Sequence, residues 1–587
     1  MKTVLKFIKP YKKQFFLFAF LLTVETFASL FMPYIMSIIV DDGIRLKRSE
    51  IIVSYAVVMA VLSVLLVATR IISVKIVNSA QSSLISDIFR ALFKKVNSLS
   101  FEQYSRIGSS GLLTRSTDDV FNLDGAVQQM VYVIVTVPIM LIGGGILSFI
   151  SDPLLSLVFV CSIPPIFVFL YFVVKPLSDM WDRTDKYIDE QNRIVRERLS
   201  GIRVVRAFNN DAREHQRAKH ATEEMSKYMI RSNIRSGFVD PVATLLLNIG
   251  TVVMIWIGGM RAEAGILENA GAVIAVVQYV GLIANAVLTL SWTIAWLPKM
   301  KVSSRRIGEI LDLQGEDAGA ESDISFASDA SAEIELAGVT FSYPDSSTKV
   351  LDSVSFKIER GQTVAIIGGT GSGKTTLVRL LLGFYECDFG DIRINGTSYS
   401  SLSKKSIRSA YSAALQRGMI FEGRLIDNIN MGNRDASLEL VETAISDCAL
   451  SEFVSSHKEG LDYGLVGMGQ NVSGGQKQRI NMARTVIREA PVYIFDDCFS
   501  ALDYLTESKI KKALFERLCS ASKLIVTQRV STALSAEKIL VMDRGRIVGE
   551  GSHGELIRSS DIYREICLSQ LGADALAGYA RGGRDEE

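Results

Sequence analysis

Six long runs with almost no charge fill about the first 300 residues of this 587-residue chain, and no other feature restricts its folding as sharply. Each has about the 20 residues that a helix needs to cross the hydrocarbon of a bilayer, and the longer ones leave room for tilt. The spans fall near 15–40, 51–77, 125–151, 153–174, 242–260 and 269–298, the second extending past the uncharged run Ile51–Thr69. One such run could be a buried helix of a soluble protein; six in succession make a membrane domain. Basic residues near the ends set the orientation. Lys2, Lys6, Lys9, Lys12 and Lys13 precede the first span, Lys75 to Arg115 follow the uncharged run of the second, and Arg183 to Arg206 follow the fourth. Both termini are therefore expected in the cytoplasm, with short outer and long inner connections.

The inner connections read as continuous helices. Ile85, Ile88, Phe89, Leu92, Phe93 and Val96 recur at helical spacing. Their tips, near Phe101–Tyr104 and within Glu197–Phe208, are expected to meet a cytosolic domain. Polar groups within spans mark a pathway for solutes or a bond between helices. Glu25, Asn248, Gln278, Asn285, Trp292 and Trp296 are the candidates, and a cavity of this kind would suit bulky amphipathic or cationic compounds. Basic and acidic residues balance at 64 and 63, so no overall field favours nucleic acid. The six cysteines (161, 387, 448, 498, 519 and 567) lack metal spacing and read as free thiols in a reducing cytosol.

The membrane domain is expected over 1–312, a Gly-, Ser- and acid-rich linker over 313–332, a second domain over 333–570 and a disordered tail over 571–587. The second domain centres on Gly368-Gly369-Thr370-Gly371-Ser372-Gly373-Lys374-Thr375-Thr376, between the apolar run Thr363–Ile367 and Leu377–Leu382. Strand, glycine loop and helix in that order turn several backbone N–H groups toward one anion, and the helix N-terminus adds its positive end. Lys374 would reach the terminal phosphates of a nucleotide and the Thr375 hydroxyl would ligate Mg2+. Val492–Phe495 is an apolar strand ending in Asp496, the usual placement of a Mg2+-holding acid. Tyr343 closes an earlier strand and offers a ring for adenine to stack on. Ser473-Gly474-Gly475-Gln476 opens another helix and makes a second anion site.

The phosphate loop, Gln416, the Ser473–Gln476 signature, Asp496-Asp497 after an apolar strand and Ser500-Ala501-Leu502-Asp503 occur in the order of an ABC ATPase domain. With six spans ahead of them, the chain resembles an ABC exporter half-transporter of the bacterial multidrug type. The resemblance implies an all-α six-helix transmembrane domain with long cytoplasmic helical extensions, followed by an α/β P-loop nucleotide-binding domain. It implies ATP and Mg2+ as cofactors, with Thr375, Gln416 and Asp496 around the metal and Asp503 beside the shared nucleotide. The signature would cap a nucleotide held by the other subunit. A small amphipathic substrate, the lipid bilayer of a bacterial cytoplasmic membrane and a second half-transporter are the implied partners.

Two departures from that pattern bear on mechanism. The family's catalytic glutamate is Asp497 here, one methylene short, and its switch histidine is Gln528, which cannot carry a positive charge. Misplacing a reacting group by about 1 Å can cost on the order of 100-fold in rate. This combination resembles the degenerate-site subunit of a heterodimeric exporter; a homodimer with two slow sites is the competing reading. Val472, where leucine is usual, and Gly467, where an acid is expected, are smaller departures. Lipid flipping and peptide export are neighbouring functions, and an ATP-gated channel and an ATP sensor are rivals of another class.

Overall fold

The computed structural model describes residues 6–264, 270–316, 324–326, 330–344 and 346–572, with most of their side chains. The chain divides into two compact units, residues 1–97 with 109–313, and residues 98–108 with 314–587.

The first unit is helical. Its principal helices are α1 (Lys12–Ile38), α2 (Ser49–Asn97), α3 (Asp118–Leu123), α4 (Ala126–Ser151), α5 (Pro153–Ser200), α6 (Ile202–Ala207), α7 (Asp211–Gly237), α8 (Val239–Glu263) and α9 (Ala270–Leu311). At 1.5 Å per residue, α2 and α5 each run for about 70 Å, far more than a bilayer needs. Five helical stretches among the described residues are long and apolar enough to cross a membrane: Lys6–Arg45, Ser49–Asn97, Ser109–Ser151, Thr244–Arg261 and Ala270–Leu290. The remaining expected span, 153–174, lies within α5, where several side chains are outside the described set.

Polar groups pin the helix ends. Asp152 caps α5 by accepting from the N–H groups of Leu154 and Leu155 at 3.0 Å, and its second oxygen pairs with Arg261 at 2.7 Å. Asp41 accepts from the N–H of Gly271 at 2.6 Å at the start of α9. Deeper in, the buried Tyr279 hydroxyl donates to the carbonyl of Leu30 at 3.0 Å, joining α9 to α1. Many large apolar side chains face outward, among them Val57, Val61 and Val64 on α2, which suits lipid rather than water.

The second unit is built on two sheets. Its strands are β1 (Ile334–Ser342), β2 (Lys349–Ile358), β3 (Thr363–Ile367), β4 (Phe389–Ile394), β5 (Thr397–Ser398), β6 (Tyr411–Ala414), β7 (Gly423–Arg424), β8 (Gly464–Leu465), β9 (Val492–Asp496), β10 (Ser522–Thr527), β11 (Lys538–Asp543) and β12 (Arg546–Gly551). The main sheet runs β12-β11-β3-β10-β9-β6, and β11, β3, β10, β9 and β6 are parallel. Every residue of β3, β9 and β10 is buried, as expected for central strands covered on both faces. A smaller antiparallel sheet, β2-β1-β4-β5, covers one side. The segment 98–108 groups with this unit: Ser100 and Gln103 form a capping box, and the Phe101 ring stacks on Phe384 with centroids 5.2 Å apart.

All six cysteines are free; Cys161 and Cys519 are exposed, and Cys448, Cys498 and Cys567 are buried.

Candidate functional site

The site forms where the parallel strands β3, β10 and β9 end side by side. Thr527 pairs with Ile367 and Val526 with Asp496, so the phosphate loop, Gln528 and the two aspartates leave the sheet at adjacent points. Open parallel sheets place ligands at such carboxyl ends.

Two glycines are required by the loop's path. A Cβ on Gly368 would lie 2.1 Å from the carbonyl oxygen of Met542, and Gly373 holds φ +106 with Leu351 2.9 Å from any Cβ. Gly373 precedes helix α10 (Lys374–Leu381). The buried Lys374 ammonium donates to the carbonyls of Gly368 at 2.8 Å and Gly369 at 2.7 Å, and to the Ser372 hydroxyl at 3.2 Å. Burial lowers its pKa, and the carboxylates of Asp497 and Asp496 oppose that shift.

Asp496 is buried beside Thr375, with which it shares a side-chain hydrogen bond. Loss of water, and then the charge of Asp497, push its pKa up to about 6. Asp497 sits at φ +49, a left-handed conformation that aspartate tolerates better than most residues, and its N–H donates to the carbonyl of Val526 at 2.8 Å. The Gln416 amide donates to Asp497 Oδ2 at 3.3 Å. Across the pocket, the Thr370 hydroxyl lies 3.4 Å from Gln528 Oε1. Thr370 with Gln528, Gln416 with Asp497, Thr375 with Asp496, and Lys374 near both aspartates thus gather at one edge of the sheet.

Tyr343 follows β1, and its hydroxyl is held by Thr376 Oγ1 at 3.0 Å and by the Arg379 guanidinium at 2.8 Å. The Tyr385 ring meets it edge-on at 5.4 Å. Its ring therefore stands fixed above the start of α10. Ser473 and Gln476 form a capping box at the head of α11 (Gly474–Val486), with Ser473 and Gly474 exposed. Asp503 caps α12 (Tyr504–Arg517) by accepting from the N–H of Thr506 at 3.0 Å. These residues lie on the surface of the unit.

The region 15–287 matches the ABC transporter transmembrane region family, and 351–500 matches the ABC transporter family. An uncharacterized ABC transporter ATP-binding protein of Mycobacterium tuberculosis is 34% identical over 567 residues, covering 96% of this chain and 97% of that protein. The chain is an ABC transporter. YfiB of Bacillus subtilis, an uncharacterized ABC transporter ATP-binding protein, is 30% identical across 98% of the transporter and 99% of YfiB. An ATP-dependent lipid A-core flippase of Pseudomonas fluorescens is 29% identical, covering 85% of this transporter and 82% of the flippase. The fold is that of a bacterial Atm1-family ABC exporter solved with ATP bound, with a TM-score of 0.82, 20% identity and 99% of each chain covered.

The ABC transporter couples ATP hydrolysis to transport, and its ATP-binding domain takes ATP with Mg2+. The donors suit that ion. No cluster of three His, Cys, Asp or Glu side chains that could hold a metal occurs among the described residues. Mg2+ seldom has such a cage; it takes one or two protein oxygens and completes its shell from phosphates and water. Thr375 and Asp496, joined by a side-chain hydrogen bond, could offer such a pair.

The membrane candidates lie on α1, α8 and α9. Glu25 is not an isolated acid: Arg70 on α2 pairs with it at 3.6 Å. Arg70 falls within the expected span 51–77, just past its uncharged run, and its partner on α1 cannot be read from local spacing. Asn248, Gln278 and Asn285 are exposed on α8 and α9, with Gln278 and Asn285 two turns apart on one face. The side chains of Trp292 and Trp296, and the tail 573–587, lie outside the described residues.

Sequence reasoning also missed a polar cluster behind the pocket. The buried Glu507 carboxylate accepts from Thr532 at 2.6 Å, Lys511 at 3.1 Å and Arg529 at 3.3 Å. Arg529 also donates to the carbonyl of Ser500 at 2.7 Å, and Gln478 of α11 accepts from the N–H of Ala501 at 3.1 Å. Only the i,i+4 spacing of Glu507 and Lys511 could have signalled any of this.

Proposed function

We propose that this transporter is one half of a heterodimeric ATP-driven exporter of amphipathic compounds, with both termini cytoplasmic. Its own pocket would hold ATP and hydrolyse it poorly, and its signature would complete the partner's competent pocket. The carrying observation is the identity of the two groups bordering the pocket opposite Lys374: Asp497 and Gln528.

In this reading Tyr343 stacks on the adenine ring, Lys374 and the loop N–H groups hold the phosphates, and Thr375, Asp496 and Gln416 surround the metal. Mg2+, when bound, would offset negative charge on the phosphate oxygens. Asp497 would orient the attacking water, but its carboxylate ends one methylene short of where a glutamate would reach. Gln528 donates a hydrogen bond without bringing positive charge to the terminal phosphate. The exposed Ser473–Gln476 helix start is free of its own chain's phosphate loop and can serve a second subunit's nucleotide. Closure of two such domains around ATP would move the inner helical tips and turn the cavity outward.

Turnover separates the possibilities. The chain purified alone should hydrolyse ATP slowly, and purification from native membranes should bring a second half-transporter with it. Brisk turnover by the lone chain would sink the degenerate-site reading. A lipid-flipping reading is favoured by a different observation, the half-exposed Arg70 within a membrane helix, together with the flippase among the relatives. Stimulation of ATPase by anionic lipid rather than by amphipathic cations would support it.

A further inference from the structure

The loop that carries Gln528 is held from a part of the chain with no role in the site as described above. Helix α13 (Asp561–Leu571) closes the described part of the second unit, with Tyr563 and Cys567 buried in the core. Near its end, Gln570 lies at the surface and bridges the backbone on both sides of Arg529. Its Nε2 donates to the carbonyl of Gln528 at 2.7 Å, and its Oε1 accepts from the N–H of Val530 at 2.9 Å. One carboxamide thus supplies a donor and an acceptor to a stretch of three residues, much as a paired strand would.

The same stretch is gripped by its side chains. Arg529 reaches the buried Glu507 and the carbonyl of Ser500, and Ser500 in turn donates to the carbonyl of Asp497 at 2.8 Å. With Arg529 fixed on one side and the backbone fixed on the other, the Gln528 side chain has little freedom beyond its own rotamers. It faces Thr370 of the phosphate loop.

We infer that Gln570 is a positioning residue for the nucleotide pocket: the last helix sets the backbone from which Gln528 reaches the phosphate loop. This deepens the proposed function, because it rests on Gln528 facing bound nucleotide, but it does not need the pocket to be slow. Both of its bonds go to main-chain atoms, so the clamp acts on where Gln528 sits and not on the core of the unit. An exposed glutamine in a surface helix should otherwise be replaceable at little cost.

The test uses the full chain in lipid nanodiscs, with mant-ATP and Mg2+ as the probe and release rate as the readout. Gln570→Ala should speed release about fivefold, the size of effect expected from one ordinary hydrogen bond. Gln570→Glu, which keeps the acceptor for Val530 but sets a carboxylate against the Gln528 carbonyl, should shift release in the same direction. Gln528→Ala should speed release by itself, and adding Gln570→Ala to it should change release by less than about twofold, because residues acting through one another are not additive. Melting temperatures should stay within about 3 °C of the parent. Equal effects of Gln570→Ala with and without Gln528, unchanged release when Gln528 is present, or effects that follow a drop in melting temperature would each overturn the inference. ATP turnover, recorded in parallel, tests the slow-pocket reading separately.

Discussion

At the scale of single residues, the pocket depends on small differences in reach and in backbone freedom. Asp497 and Gln528 differ from the pattern that the resemblance implies by one methylene and one ionisable ring. Replacing both, Asp497→Glu with Gln528→His, should therefore raise hydrolysis at this pocket by about 10- to 100-fold, measured as single-site turnover in the assembled transporter. Unchanged turnover would count against the proposed slow pocket. Gly368 sets a limit of another kind. A Cβ there would meet the Met542 carbonyl at 2.1 Å, so Gly368→Ala should abolish tight nucleotide binding and destabilise the domain by about 2 kcal/mol or more. Mant-ATP binding and denaturant unfolding would read the two effects.

At the scale of elements, the division between what sequence discloses and what it hides follows chain distance. The phosphate loop, the strand ending in Asp496 and the Ser473 helix start are local patterns, each contained within a short stretch, and each was legible. The Glu507 cluster joins residues 22 and 25 positions apart, and the Gln570 bridge spans 40 and 42 positions. No periodicity announces such contacts; they exist only once α12, β10 and α13 have packed. Arg70 lies inside the expected second span, but no local pattern pairs it with Glu25 on the preceding helix. The buried cluster has a measurable consequence. Glu507→Ala leaves the partly buried cations Lys511 and Arg529 unpaired, and should cost about 3–5 kcal/mol in denaturant unfolding of the domain. By contrast, Asp503→Ala removes one exposed cap and should lower the unfolding midpoint far less.

At the scale of the whole molecule, the membrane unit is held at its ends by Asp152 with Arg261 and by Asp41 with Gly271, while the Glu25–Arg70 ion pair lies along its apolar length. Breaking that internal pair should be worse than deleting it. Glu25→Gln or Arg70→Gln alone leaves one charge in a poorly hydrated place, whereas Glu25→Gln with Arg70→Gln removes both. Melting of the detergent-solubilised transporter should therefore rank the double variant above either single one. A double variant less stable than both would mean that the pair itself, and not its balance, supports the fold.

The free cysteines make the transporter its own reporter. Cys161 is exposed on a helix expected in lipid and Cys519 is exposed on the ATP-binding unit, while three of the other four thiols are buried. A lipophilic maleimide and a charged, membrane-impermeant one should thus decorate different units of the native chain. Fluorescent or spin labels at those two thiols would follow each unit through the ATP cycle without engineering a single new attachment point.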